Sequence, residues 1–416
     1  MKVLIKNAII ISSSTTSSPT DILIENGIIS MIKAGISVNA EQVIQRPGLH
    51  VSAGWMDLFA NFYDPGNEYK ETLESGSKAA AAGGFTDVMV VPNTTPVVHD
   101  KSQVEYIVHK SKDLLVRIHP IGAVTRNVAG AELTEMYDMR NSGALAFSDG
   151  THSLQSSGIL LKALEYVKAF NGTIIQVPDD ENIGSNGLMN EGIISTQLGL
   201  PGKPAISEEI AVARDIELVK YTGSRMHFTG ISTKKSLELV EKAKQEGISI
   251  SCSVTPYHLF FCDEDLHDYD TNLKVNPPLR TRSDMFALRE GLLNGMIDFI
   301  SSHHQPHDWD DKTCEFEYAK NGMIGLESMF GVLRSIGCPV ATFVKMQTTN
   351  IRQIFDLPAI EIKKGIPARL TLFDPEAEYI FTNEHIHSKS KNTPFTGKKL
   401  KGQTFGIING DQLFLK

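Results

Sequence analysis

The stretch Asp57-Leu58-Phe59-Ala60-Asn61-Phe62-Tyr63-Asp64-Pro65-Gly66 sets an acid and a short apolar run directly before an Asp-Pro-Gly turn. That is the setting in which a metal-dependent hydrolase presents imidazoles at a strand end. Here the two positions hold Phe59 and Asn61. A hydrolytic zinc needs at least three His, Asp, Glu or Cys donors and one open position, so that its bound water ionises near neutral pH. Phe offers no donor and the Asn amide is a weak neutral one. A local cluster of imidazoles stands in Ser302-His303-His304-Gln305-Pro306-His307. Its preferred reading is histidines hydrogen-bonded inside the fold, and its alternative is a relocated metal at His303, His304 and His307. Asp57 and Asp149 are the carboxylates that a general base would require, Asp149 being the better candidate. A lone base supplies only about 10²–10⁴-fold, far less than a metal centre.

Residues of this kind act only where strands deliver them. From about residue 55, short apolar runs alternate with amphipathic segments, with strands expected near 56–60, 87–92, 117–122, 143–148, 173–177, 225–230, 248–254 and 297–302. The helical runs between them include Thr72 to Ala82, Ser156 to Ala169, Ser207 to Tyr221, Thr233 to Gln245 and Asp284 to Asn294. Several open on a Ser or Thr placed to cap the first turn. Strand-helix units in this order predict a (β/α)8 TIM barrel, whose active site lies at the carboxyl ends of its strands. No Gly-x-Gly-x-x-Gly follows the first strand, which disfavours a doubly wound sheet. The strand-end residues are then Phe59 and Asn61, Asn93, His119, Ser148-Asp149, Gln176, Gly230, His258 and His303, a set poor in metal donors. His119 and His258 are read as satisfied core histidines.

The alternating runs before residue 54 and after residue 356 read as strands, so the expected organisation is a barrel over 55–355 and a small β-sandwich domain built from 1–54 and 356–416. The Ser/Thr cluster from Ser12 to Thr20 is expected to be an exposed hairpin loop. The connection from Pro178 to Ile206 is long for a barrel loop and is expected to be functional or to carry its own short elements.

Bulk properties narrow the partners. Lys plus Arg number 40 against 49 Asp plus Glu, a formal net charge of -9 without a basic stripe, which argues against nucleic acid and an anionic membrane. The N-terminal apolar run is short and alternating, and no window suggests a spanning helix. The four cysteines, Cys252, Cys262, Cys314 and Cys338, form no C-x-x-C pair and read as reduced thiols of a cytoplasmic protein.

Several ordered stretches carry a resemblance: Tyr69-Lys70-Glu71-Thr72, Ala79 to Thr86, Val91-Pro92-Asn93-Thr94, Ala205-Ile206-Ser207-Glu208-Glu209, Thr255-Pro256-Tyr257-His258-Leu259, Lys274-Val275-Asn276-Pro277-Pro278-Leu279-Arg280, Gly325-Leu326-Glu327 and Ser388 to Phe395. Together they resemble type I dihydroorotase of the amidohydrolase superfamily over nearly the whole chain. That resemblance implies interconversion of carbamoyl aspartate and dihydroorotate at a zinc site. Carried over residue by residue, the family's His-x-His falls on Phe59 and Asn61, a later His on Gln176 and another on Gly230. Its catalytic Asp falls on His303, and its Asp-Asp-Gly has become Asp149-Gly150-Thr151. The Arg that would clamp a substrate carboxylate falls on Tyr63. Asn93 and Asn276 survive, either as recognition groups for an amide or carboxylate or as turn residues. The substrate-pocket candidates are thus Tyr63, Asn93, Asn276 and His258.

The resemblance, with these losses, implies a dihydroorotase-like pseudoenzyme with no expected cofactor. Its expected partners are a second copy in a homodimer or aspartate carbamoyltransferase. The alternative is an active amidohydrolase, a dihydroorotase or a related cyclic-amide hydrolase, with zinc at an altered site.

Overall fold

The computed structural model describes residues 1–12 and 15–416. Eight parallel strands follow one another around a barrel: Trp55–Ala60, Phe85–Val90, Arg117–Gly122, Ala146–Phe147, Thr173–Gln176, Arg225–Thr229, Ile250–Val254 and Phe299–Ile300. Each pairs with the next, and the intervening helices form the outer layer. The expected caps are present. Thr72 accepts from the Ser75 N–H, Ser156 from Ile159 and Thr233 from Ser236, each satisfying an amide that the helix leaves without a carbonyl.

The seam between the first and last strands is closed largely by side chains. The Gln347 amide accepts from the Ile300 N–H at 3.1 Å and donates to the carbonyls of Ile300 and Met56 at 3.0 and 3.3 Å. Ser301 donates its hydroxyl to the Leu58 carbonyl at 2.6 Å, and the Asn61 N–H reaches the His304 carbonyl at 2.8 Å. Asp57, wholly buried, accepts from the Ser302 N–H at 2.8 Å and its hydroxyl at 2.5 Å.

Both ends of the chain meet in a second sheet. In spatial order its strands are Gln412–Leu415, Lys399–Asn409, Arg369–Ile380, His50–Ala53, Lys2–Ile10, Thr20–Glu25 and Ile28–Lys33, with Gln42–Ile44 also beside Lys2–Ile10. The strand Lys2–Ile10 is irregular between Ile5 and Ala8, and on either side of that bend the two halves fold over one core containing Val3, Ile22, Val51, Leu370 and Ile408. Trp55 locks this unit to the barrel floor, its ring 4.8, 5.0 and 5.3 Å from those of Phe343, Phe330 and Phe373. The Ser/Thr cluster joins the antiparallel strands Lys2–Ile10 and Thr20–Glu25 as a hairpin loop; its residues 13 and 14 lie outside the described residues.

The long connection from Pro178 carries its own elements, the helix Ile193–Leu198 and the paired segments Met189–Asn190 and Gly202–Lys203. All four cysteines are free thiols. No helix among the described residues is long and apolar enough to cross a membrane.

Candidate site at the barrel mouth

The first strand ends on an irregularity. Its register with Phe85–Val90 shifts between Asp57 and Ala60, and Phe59 takes a left-handed backbone, φ 72°, that a bulky side chain rarely adopts. The result turns the Phe59 ring into the barrel mouth. There it stacks on His303, centroids 4.6 Å apart and planes at 29°. His303 is itself held at φ 43°, and its Nε2 lies 2.8 Å from the Thr229 hydroxyl. Beneath the ring is Gly230, where a β-carbon would fall 2.8 Å from His303 Cε1. Phe59, His303 and Gly230 thus form one packed block where the resemblance calls for metal donors. Burial, reinforced by nearby His258, pushes His303 down to about 3, so its imidazole is neutral at ordinary pH.

The remaining candidates are committed to internal partners. Asn61 donates its amide to the His304 carbonyl at 3.1 Å. Gln176 exchanges two long hydrogen bonds, both 3.4 Å, with the Leu154 backbone. Asp149 accepts from the N–H groups of Val124 and Thr125 at 2.9 and 2.8 Å and from the Thr125 hydroxyl, so it anchors a loop; burial raises its carboxyl above the usual range despite these donors. Burial also lifts Asp57, to about 7, against the opposing Ser302 hydrogen bonds.

The three loop histidines do not converge. His303 faces Thr229, His304 lies 3.5 Å from the Glu71 carboxylate, and His307 sits 3.0 Å from Asp311 while its Nε2 meets the Asn321 carbonyl at 2.8 Å. Among the described residues no three His, Cys, Asp or Glu side chains are grouped to hold a metal. The donors at the positions carried over do not fit a hydrolytic zinc: two residues have no donor atom, two are amides bound to backbone, and the one imidazole has its Nε2 on a hydroxyl.

A cavity of about 250 Å³ remains above the block, lined by Asn61, Asn276, Gln305, His307, Lys320 and Asn321 among others. Of the four pocket candidates, only Asn276 lines it, and it accepts from Lys203 Nζ at 3.0 Å. Asn93 instead bridges the Asp149 carbonyl and the Thr151 N–H, both at 3.2 Å, tight against Gly150, where a β-carbon would collide with its Oδ1. His258 is enclosed between the Thr255 hydroxyl at 2.8 Å and the Pro277 carbonyl at 3.0 Å, and burial lowers it to about 4. Tyr63 is held at φ 49°, and burial raises its phenol strongly.

His119 requires a correction. It is the third residue of Arg117–Gly122, in the half of the strand away from the mouth, and pairs with Asp87 at 2.9 Å. Sequence reasoning also passed over Lys203, Gln305 and Lys320. Lys203 is delivered by the long connection from Pro178 to Ile206, whose length is its one sign in the sequence; Lys320 carries none.

Comparison with known proteins shows the family and the fold. The family model described as Dihydro-orotase-like matches residues 49–236. The chain is 39% identical to a dihydroorotase of Caldanaerobacter subterraneus subsp. tengcongensis, with 100% of this chain and 98% of that protein covered. It is also 39% identical to a dihydroorotase of Geobacter metallireducens, with 95% of each covered. In three dimensions it resembles L-hydantoinase (dihydropyrimidinase) from Arthrobacter aurescens, TM-score 0.86 at 23% identity, covering 100% of this chain and 96% of that one. A D-hydantoinase gives a TM-score of 0.84 at 20% identity, with coverage of 100% and 95%. These two likenesses concern the fold, the TIM barrel with its appended sheet domain.

Proposed function

The chain belongs to the dihydroorotase-like family of the amidohydrolase superfamily, and from that membership we propose that it serves pyrimidine biosynthesis as a catalytically inactive member with a structural or assembly role. The observation that carries this reading is the block of Phe59, His303 and Gly230. It removes donors and also fills space, because the His303 ring stands where any side chain at position 230 would have to go. Asp149, the remaining carboxylate of the old site, has both oxygens occupied by three donors from Val124 and Thr125. No step through a metal follows from these residues.

In this reading the protein is cytoplasmic and its barrel is a scaffold. Its partner is a second copy of itself, or aspartate carbamoyltransferase as the family resemblance suggests. The test is genetic. The chain is expressed in a cell lacking its own dihydroorotase, with folding checked by circular dichroism. Folded protein that fails to restore growth without uracil supports the proposal, and restored growth rejects it.

A second reading is favoured by the dihydroorotase relatives at 39% identity: an active cyclic amidohydrolase with a metal at His303, His304 and His307, which would have to leave the separate partners they hold here. It requires one bound transition metal per chain, lost on His304→Ala. Elemental analysis of purified protein decides between the two.

A further inference from the structure

At the end of the barrel opposite the mouth, three guanidinium groups approach one cavity of about 360 Å³. Arg117 opens the strand Arg117–Gly122, Arg369 opens Arg369–Ile380, and Arg352 projects from the short helix Ile351–Ile354. The facing wall is the segment running from Leu357 to Pro367 between the barrel and the second sheet.

The protein supplies too little negative charge for this group. Asp87 is wholly buried; its Oδ2 accepts from Arg352 Nη2 at 2.7 Å and from the Thr86 hydroxyl at 2.9 Å, and its Oδ1 meets His119 Nε2 at 2.9 Å. Three donors already occupy Asp87. Arg352 is only 4% exposed, yet its Nε has no hydrogen-bond partner. A buried N–H of this kind carries a desolvation cost that only a partner offsets. Among the described residues, the guanidinium groups of Arg117 and Arg369 make no hydrogen bond and no ion pair, and the exposed Glu361 on the facing segment is paired with none of them. Burial lowers the Arg369 pKa, with Arg117 and Arg352 adding repulsion and Asp87 opposing it.

We propose that this cavity binds a phosphate-bearing small molecule, its phosphate held among Arg117, Arg352 and Arg369 and its less polar part lying against Pro358, Ile360 and Ile366. Three planar donor forks arriving from separate elements suit a multivalent tetrahedral oxyanion. A single carboxylate, with two oxygens in one plane, satisfies one fork well and the others poorly. The site is remote from the barrel mouth and stands independently of what happens there.

The test is thermal melting of the full chain titrated with inorganic phosphate, pyrophosphate, AMP and succinate, with chloride at matched ionic strength and adenosine as the uncharged control. The melting temperature is expected to rise saturably with the three phosphates, furthest with AMP, and not with adenosine or chloride. Arg369→Gln and Arg117→Gln remove unpaired cations and are expected to fold normally, while the concentration needed for the rise increases roughly tenfold or more. A rise identical in both variants and the parent would be a general salt effect and would overturn the proposal. So would no saturable rise, or a saturable rise with succinate and none with phosphate.

Discussion

Gly230 and His303 are mutually dependent: a β-carbon on Gly230 would lie 2.8 Å from Cε1 of the imidazole, and His303 in turn stacks on Phe59 at 4.6 Å. A side chain at 230 and this placement of His303 exclude each other. Positions 59, 230 and 303 are therefore one packed unit rather than three separate sites.

That dependence is measurable. Gly230→Ala meets both the imidazole and a left-handed backbone, φ 74°, and is expected to cost about 2–4 kcal/mol. In a His303→Ala background only the backbone part remains, about 1–2 kcal/mol. Urea unfolding of the four proteins gives the coupling directly, and additive effects would contradict the packed block.

The Asp57 carboxyl closes the seam by accepting from Ser302 and is raised by burial to about 7. Since its folded pKa lies above its unfolded value, its favourable contribution is complete below about pH 4 and is lost as pH rises through about 7. Asp57→Asn mimics the protonated acid. Unfolding midpoints at pH 5 and pH 8 are expected to lie closer together in the variant than in the parent; an unchanged gap would show that Asp57 does not titrate in this range.

Gln347 serves three backbone groups of the first and last strands. Gln347→Leu keeps approximate volume but leaves the Ile300 N–H and two carbonyls unpaired, at an expected cost of about 2–4 kcal/mol. Hydrogen exchange at Ile300 is expected to accelerate with it. Unchanged stability and exchange would mean that the seam is closed without this side chain.

Much of the architecture was legible because local signals agreed. The caps Thr72, Ser156 and Thr233 marked helix starts, and apolar runs such as Asp87-Val88-Met89-Val90 marked strands, since capping and burial are decided within a few residues. The lining of the mouth cavity was legible in part, since Phe59, Asn61, Asn276 and His303 all face it. Its filling was not, because the stack of Phe59 on His303 joins residues far apart in the chain. His119 was misplaced for a related reason: a strand's residues look alike in sequence, and only the third dimension shows that Asp87 holds this one away from the mouth. The Arg117, Arg352 and Arg369 group was likewise scattered over three elements.

The central claim concerns chemistry at the mouth, and the most direct measurement is turnover of carbamoyl aspartate and dihydroorotate by the purified, folded protein supplied with zinc. The account predicts no conversion above the uncatalysed rate and no stoichiometric zinc retained after dialysis. Zinc-dependent conversion with one ion retained per chain would contradict it.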